Sequence, residues 1–344
     1  MNRSRILAAA ALVLAFVLVS CTKQAQTGGS GCSQVDAALV SGSPVSFTFA
    51  PAVKAKLPAS DADSLKTYGF YVSCYNSTRA AVYFSGVKAQ EDASLGSGVY
   101  SVKNGGDYYY WPRFNGGVAA SQALDFVASY PYPASCSALG VFGLEVDARD
   151  ANFDMLMAKA PARTLDEDGS GVSLSFNHML ACLYEVKVSL SDSVQSTSLR
   201  LKSITLGDVV YKASMTPDMS SSTASDVWTP ASSFKKDYAL ALVDGTCDKP
   251  LTSTTPISVL NDSYYFIPQT LSATLVFALK ANGADREDLT LKTTIPLEMG
   301  VKSTVKVKVN PVFYSCSVTV SSVAMKQWTS TGDRNVSFAD ERSE

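Results

Sequence analysis

The residues able to do chemistry are few and far apart. His178 is the single histidine in a chain of 344 residues. A serine or cysteine nucleophile is usually activated by a neighbouring imidazole, so any such centre would have to be built on His178. Phe176 and Leu180 flank it at two-residue spacing, which puts all three on one face of a strand. An apolar face of that kind makes His178 a hydrogen-bonded core residue rather than a base. Seven cysteines stand at 21, 32, 74, 136, 182, 247 and 316, with no Cys-x-x-Cys pair. That spacing, with one histidine, argues against structural zinc, a thioredoxin-type redox centre or a copper site. The acidic run at 166–171 lacks the ligand spacing and terminal glutamate of a calcium loop and reads as a solvated linker. Asp147, Asp150 and Asp154 cannot be paired as a glycosidase's acid and base from sequence alone. Neither an enzyme nor a cofactor is expected.

Cys21 offers chemistry of another kind. It follows Leu18-Val19-Ser20 at the end of an apolar run over 6–19, with Arg3 and Arg5 ahead. A basic start, a short apolar run and small residues before a cysteine form a lipobox: cleavage before Cys21 is expected, with acylation of its thiol. The apolar run would make about 21 Å of helix against a hydrocarbon layer of about 30 Å, too short to span. The expected leader is 1–20. A small, polar stretch with Gly28-Gly29-Ser30-Gly31 follows and reads as a flexible tether over 21–42. The membrane is thus a partner through lipid on Cys21.

Aromatic residues offer the remaining surface chemistry. The densest cluster is 108–114, and exposed rings at Tyr109, Trp111 and Trp228 could stack on sugars. The competing reading is that alternate rings fill a core. Nucleic acid is not an expected partner: the formal net charge is −2, which gives no electrostatic footprint for a polyanion.

These residues must be positioned by strands. Val45, Phe47 and Phe49 alternate with polar residues, as do Leu124, Phe126, Ala128 and Tyr130 before Pro131. The same period appears in Val172-Leu174-Phe176, in Cys182-Tyr184-Val186-Val188-Leu190, in Val305-Val307-Val309 and in Tyr314-Cys316-Val318-Val320. Such alternation predicts antiparallel sheets with one buried face. Turn residues separate the runs, as at Asn104-Gly105-Gly106 and Asp244-Gly245. A helix over 119–127 is the weaker reading of that stretch, because the alternating pattern ends at Pro131. The fold class expected is all-β, in sandwiches, and the length suggests two domains, 43–168 and 169–344, meeting at the acidic loop.

Several stretches in order carry a resemblance: Tyr108-Tyr109-Tyr110-Trp111-Pro112, the run 124–131, Asp154-Met155-Leu156-Met157-Ala158, the run 172–190, Tyr265-Phe266-Ile267-Pro268-Gln269, and Trp328 followed by Gly332. Behind a lipobox, this order is similar to the fimbrillin-like lipoproteins of Bacteroidales, subunits of type V fimbriae. The resemblance implies two tandem transthyretin-like β-sandwiches, no catalytic chemistry, and a lipid-anchored subunit at the outer membrane and cell surface. It implies partners that are other fimbrial subunits or further copies of this chain, joined by strand exchange, and host or bacterial surface ligands. Subunits of this type are cut after a basic residue behind the first strand. Here 45–53 reads as that strand, with Lys54 and Lys56 behind it, and the C-terminal region offers Val318, Val320 and Phe338 to a neighbour. The acidic residues that often follow the acylated cysteine in exported relatives are replaced by Thr22-Lys23-Gln24-Ala25-Gln26. The alternative is a surface glycan-binding lipoprotein of a polysaccharide-uptake system, with Tyr109, Trp111 and Trp228 as its stacking rings.

Overall fold

The computed structural model describes residues 43–48, 68–76, 82–111, 123–131, 135–136, 142–145, 154–168, 170–192, 199–221, 226–260, 262–281, 284–285, 287–312 and 315–325. Cys21, Lys54, Lys56 and Phe338 lie outside the described residues, as do the leader and the tether.

Strands dominate. The first run comprises β1 (Ser46–Thr48), β2 (Phe70–Asn76), β3 (Val82–Glu91), β4 (Val99–Asn104), β5 (Asp107–Tyr108), β6 (Leu124–Tyr130), β7 (Ser135–Cys136), β8 (Phe142–Glu145), β9 (Leu156–Arg163), β10 (Val172–Ser173) and β11 (Asn177–His178). Nine of these form one sheet in the order β10-β1-β4-β3-β2-β6-β9-β11, with β5 bonded to β4 beside that path. Its inward side chains include Val45, Phe47, Phe70, Tyr100, Phe126 and Phe176, which pack into one core. β6 stops where Pro131 would have no N–H to donate.

The second run comprises β12 (Ala181–Leu190), β13 (Arg200–Val210), β14 (Lys212–Thr216), β15 (Val227–Pro230), β16 (Lys235–Ala239), β17 (Ile257–Ser258), β18 (Tyr264–Phe266), β19 (Gln269–Ala278), β20 (Lys280–Ala281), β21 (Ala284–Asp285), β22 (Leu289–Leu297), β23 (Val301–Asn310) and β24 (Ser315–Ala324). One sheet runs β17-β12-β23-β24 with β18 on β12, and another runs β16-β13-β19-β22. Leu183, Val186 and Val305 from the first meet Leu206, Leu275 and Phe277 from the second, so the two apolar faces form a sandwich core. A third sheet, β15-β14-β8-β7, joins strands from both runs, and β20 pairs with β21. The protein is thus an all-β, sandwich-type fold. Among the described residues no helix is long and apolar enough to cross a membrane.

Three details depart from the simple alternation. β12 carries a register shift between Leu183 and Glu185. A bulge inserts one residue and turns the strand's face. Cys182 and Tyr184 therefore pack with a different cluster from Val186, Val188 and Leu190. The run 172–176 is not one strand: β10 ends at Ser173, and Leu174 instead donates its N–H to the Thr48 carbonyl at 3.1 Å. The acidic loop is not simply solvated, because Arg163 grips the Asp168 carboxylate with two N–H groups and Asp168 is buried. Two pairings are parallel, β1 with β10 and β12 with β23.

Candidate functional site

The site that the fold builds most deliberately is the slot holding β1. This strand has three residues, and it lies between β4 on one side and β10 on the other. Ser46, Phe47 and Thr48 face Ser101, Tyr100 and Val99 in antiparallel register. On the other edge Phe47 and Thr48 face Val172 and Ser173 in parallel register. The pairing continues ahead of β1: Val45 donates to the Tyr109 carbonyl at 2.7 Å, and Trp111 donates to the Ser43 carbonyl at 3.1 Å. The Tyr-Tyr-Tyr-Trp run is thus a wall of the slot.

The side chains of this segment go deep. Val45 and Phe47 are both 0% exposed. The Phe47 ring meets Phe126 edge-on at 5.4 Å and Phe70 at 6.0 Å. Trp111 closes the same pocket, its ring 5.7 Å from Phe126. Ser46 is buried as well. Beneath it, Gly171 sits at φ +125°, and a Cβ there would lie 3.0 Å from the Thr48 Cγ2. A larger residue at 171 would strain the backbone and press on the Thr48 side chain. Such a slot has backbone donors and acceptors along both walls and side-chain pockets two residues apart. Its chemistry is strand capture: an extended peptide satisfies the walls, and alternate side chains fill the pockets.

The sugar-stacking candidates fall inside this packing. Tyr109 is half-buried, its ring 4.7 Å from Phe84, and burial raises the pKa of its hydroxyl. Trp111 is 2% exposed and Trp228 is 7% exposed. Trp228 donates its indole N–H to the Met179 carbonyl at 2.7 Å. Neither tryptophan presents a ring face on which a sugar could stack. The cluster at 108–111 belongs to the slot.

Two buried polar pairs stand nearby in the fold. His178 Nδ1 and Asp154 Oδ2 are 2.6 Å apart and both residues are buried. The thiol whose charge Asp154 opposes, Cys182, is pushed up to about 12, first by burial and then by that carboxylate. Burial, and then Asp125, also raises the Cys74 thiol well above its ordinary value. Neither thiol is a nucleophile near neutral pH. The second pair was not legible as a site from sequence. Lys159 is buried and donates to Asp226 Oδ1 at 2.9 Å and to the Asp218 carbonyl at 2.8 Å. Its one signal is a lysine inside the apolar run Leu156-Met157-Ala158-Lys159-Ala160. It fastens β9 to the segment between β14 and β15. Among the described residues no group of three His, Cys, Asp or Glu side chains could hold a metal ion.

Comparison with known proteins agrees with a strand-built molecule. The fimbrillin-like family model matches residues 62–328. No curated protein matches the chain. The fold is similar to that of a fimbrial protein from Bacteroides vulgatus ATCC 8482, with a TM-score of 0.52 and 12% identity over 83% of this chain and 100% of that one. A candidate cell-adhesion protein from Bacteroides uniformis ATCC 8492 aligns with a TM-score of 0.46 and 13% identity over 83% of this chain and 99% of that one. At these identities the first likeness speaks to fold.

Proposed function

We propose that this chain, which belongs to the fimbrillin-like family, is a lipid-anchored fimbrial subunit at the cell surface that assembles by donor-strand exchange. The observation that carries the reading is β1 itself: a strand inserted between β4 and β10, with Val45 and Phe47 fully buried. Its removal would leave the ladder β4-β3-β2-β6-β9-β11 in place and release β10, whose ladder partner among the described residues is β1. Its loss would expose two unpaired edges and two apolar pockets. Burying side chains of this size contributes about 1.5–3 kcal/mol each, which a replacement strand would restore.

In this reading Cys21 carries acyl chains on the outer membrane, and cleavage after Lys54 or Lys56 releases the first strand. The reading divides the chain into an N-terminal and a C-terminal domain, with β10 and β11 completing the sheet of the first. Its partners are other fimbrial subunits. The test is controlled removal of β1. A recognition site for a sequence-specific protease is placed after Val53, and the purified protein is cut and sized. Loss of the first strand with a ladder of oligomers is the expected result. A cut protein that loses the strand and stays monomeric overturns strand exchange. Separately, mass spectrometry should find an acylated Cys21 at the mature N-terminus, and Cys21→Ser should release the protein from the membrane fraction.

A further inference from the structure

The outer face of the sheet β17-β12-β23-β24 carries charge where the fold gains nothing from it. Val305, Val307 and Val309 of β23 point into the sandwich core, so Lys302, Lys306 and Lys308 point away from it, and all three are exposed. On β12, Val186 and Val188 point inward and Lys187 outward. The register sets Lys187 directly beside Lys306, across an interstrand gap of about 4.8 Å. Like charges in that position destabilise a sheet. Lysines often guard a sheet's edge against pairing with another chain. That role does not fit here, because β23 lies inside the sheet, between β12 and β24. The edge strand β24 carries no charged residue. The lysines are also only partly neutralised. Glu185 lies 3.1 Å from Lys187, and Asp192 lies 2.8 Å from Lys308 in an exposed pair open to screening. Lys302 lies over the Tyr184 ring, 3.4 Å from its centre. Among the described residues Lys306 has no ion-pair partner. Beside the lysines, β24 turns Ser317, Thr319 and Ser321 outward, opposite Lys308, Lys306 and Thr304.

We propose that this face binds an acidic polysaccharide, laid along β23 and β24. The ammonium groups meet its carboxylates, and the serine and threonine row exchanges hydrogen bonds with its sugar hydroxyls. The ten residues of β24 give such a polymer about 33 Å of extended surface. Bound carboxylates relieve the repulsion between Lys187 and Lys306, so the stability lost in the free protein is recovered in the complex. The composition of the face fits other partners less well. Protein interfaces are rich in aromatic residues and arginine at their centres and poor in lysine and serine. A membrane-seated face needs apolar side chains to bury, and the outer row of β24 offers only Val323. The face belongs to a different sheet from β1, so this binding needs no strand exchange.

The test measures binding of the full chain to immobilised polygalacturonate, with neutral dextran, double-stranded DNA and phosphatidylglycerol vesicles as comparisons. Three double variants accompany the unchanged protein. Lys187→Gln with Lys306→Gln removes two charges from the face, and Lys187→Arg with Lys306→Arg keeps them. Lys202→Gln with Lys292→Gln removes two charges from β13 and β22 of the other sheet. The unchanged and arginine forms should bind polygalacturonate, less tightly as salt is raised, and should ignore dextran. The Lys187 and Lys306 glutamine form should bind roughly tenfold more weakly, because two ionic contacts are lost. The Lys202 and Lys292 form should change by less than about twofold, since its charges lie off the face. Lys306→Gln alone should melt no lower than the unchanged protein, because a like-charge contact is relieved. A lower melt would make Lys306 structural and overturn the proposal. Equal losses from the two glutamine doubles would put the effect in net charge rather than in this face, which also overturns it. So would DNA or vesicles bound as tightly as polygalacturonate, equal retention on dextran, or no binding by the unchanged protein.

Discussion

A charged side chain enclosed by a fold survives only when its partner is enclosed with it. Lys159 and Asp226 are such a pair, and Asp226 Oδ1 also accepts the Asp218 N–H at 2.7 Å. Lys159→Ala would leave a buried carboxylate uncompensated, at a cost of about 3–5 kcal/mol. Replacing both partners by apolar residues, Lys159→Met with Asp226→Leu, should recover most of that loss in chemical denaturation. A Lys159→Ala cost below about 1 kcal/mol would show that water reaches the carboxylate. His178 plays a smaller part of the same kind. His178→Ala removes the hydrogen-bond partner of buried Asp154 and should cost about 1–3 kcal/mol without changing the strand content seen by circular dichroism. Asp92 gives a pH handle. Lys103, then Ser94, Ser101 and Tyr108, hold its carboxyl well below the usual carboxylate range. A carboxyl with a lowered folded-state pKa stabilises the fold above its unfolded value, near pH 4, and this contribution is lost as the pH falls through the folded value. Asp92→Asn should therefore flatten the fall in stability below about pH 4, measured by denaturation across pH.

Elements depend on a few positions that only glycine can occupy. Gly69, just ahead of β2, sits at φ +70°, and a Cβ there would fall 2.1 Å from the Ala89 carbonyl oxygen on β3. Gly69→Ala should destabilise by more than the 1–3 kcal/mol that such a backbone conformation alone costs, because the β2–β3 pair must also part. Strands with one buried face were the legible ones. β23 follows its alternation over the whole span, since it has a single core to face. The β12 bulge was hidden because one inserted residue leaves the alternation of Cys182, Tyr184 and Val186 intact in sequence while changing which core each meets. The pairing of β1 with β10 was also hidden, since it joins Phe47 to Val172 across most of the first run of strands and no local pattern encodes it. The aromatic run at 108–111 was visible as a cluster. That it serves as a wall of the β1 slot emerged only from the hydrogen bonds of Tyr109 and Trp111 to the residues ahead of β1.

At the scale of the molecule, every methionine after Met1 gathers in one place. Met155, Met157, Met179 and Met215 are buried in a cluster with Cys182, Trp228 and Tyr265, and Met219, Met299 and Met325 pack against it. This cluster draws Tyr75 from β2, Val127 from β6 and Met157 from β9, and it draws Cys182, Met215 and Trp228 from later strands. It is distinct from the core behind β1 and from the sandwich core of β12, β13, β19 and β23. Flexible thioethers suit a seam where two separately shaped cores must fit together. If the seam couples the cores, they should unfold as one, and weakening it should uncouple them. Each Met→Ala change in a buried site costs about 2–5 kcal/mol, leaving the interiors of the other two cores intact. Calorimetry of the unchanged protein should show one cooperative transition, and Met157→Ala with Met215→Ala should split it into two. A double variant that still melts in a single transition at lower temperature would show that the β7–β8–β14–β15 sheet, rather than the methionine seam, binds the cores together.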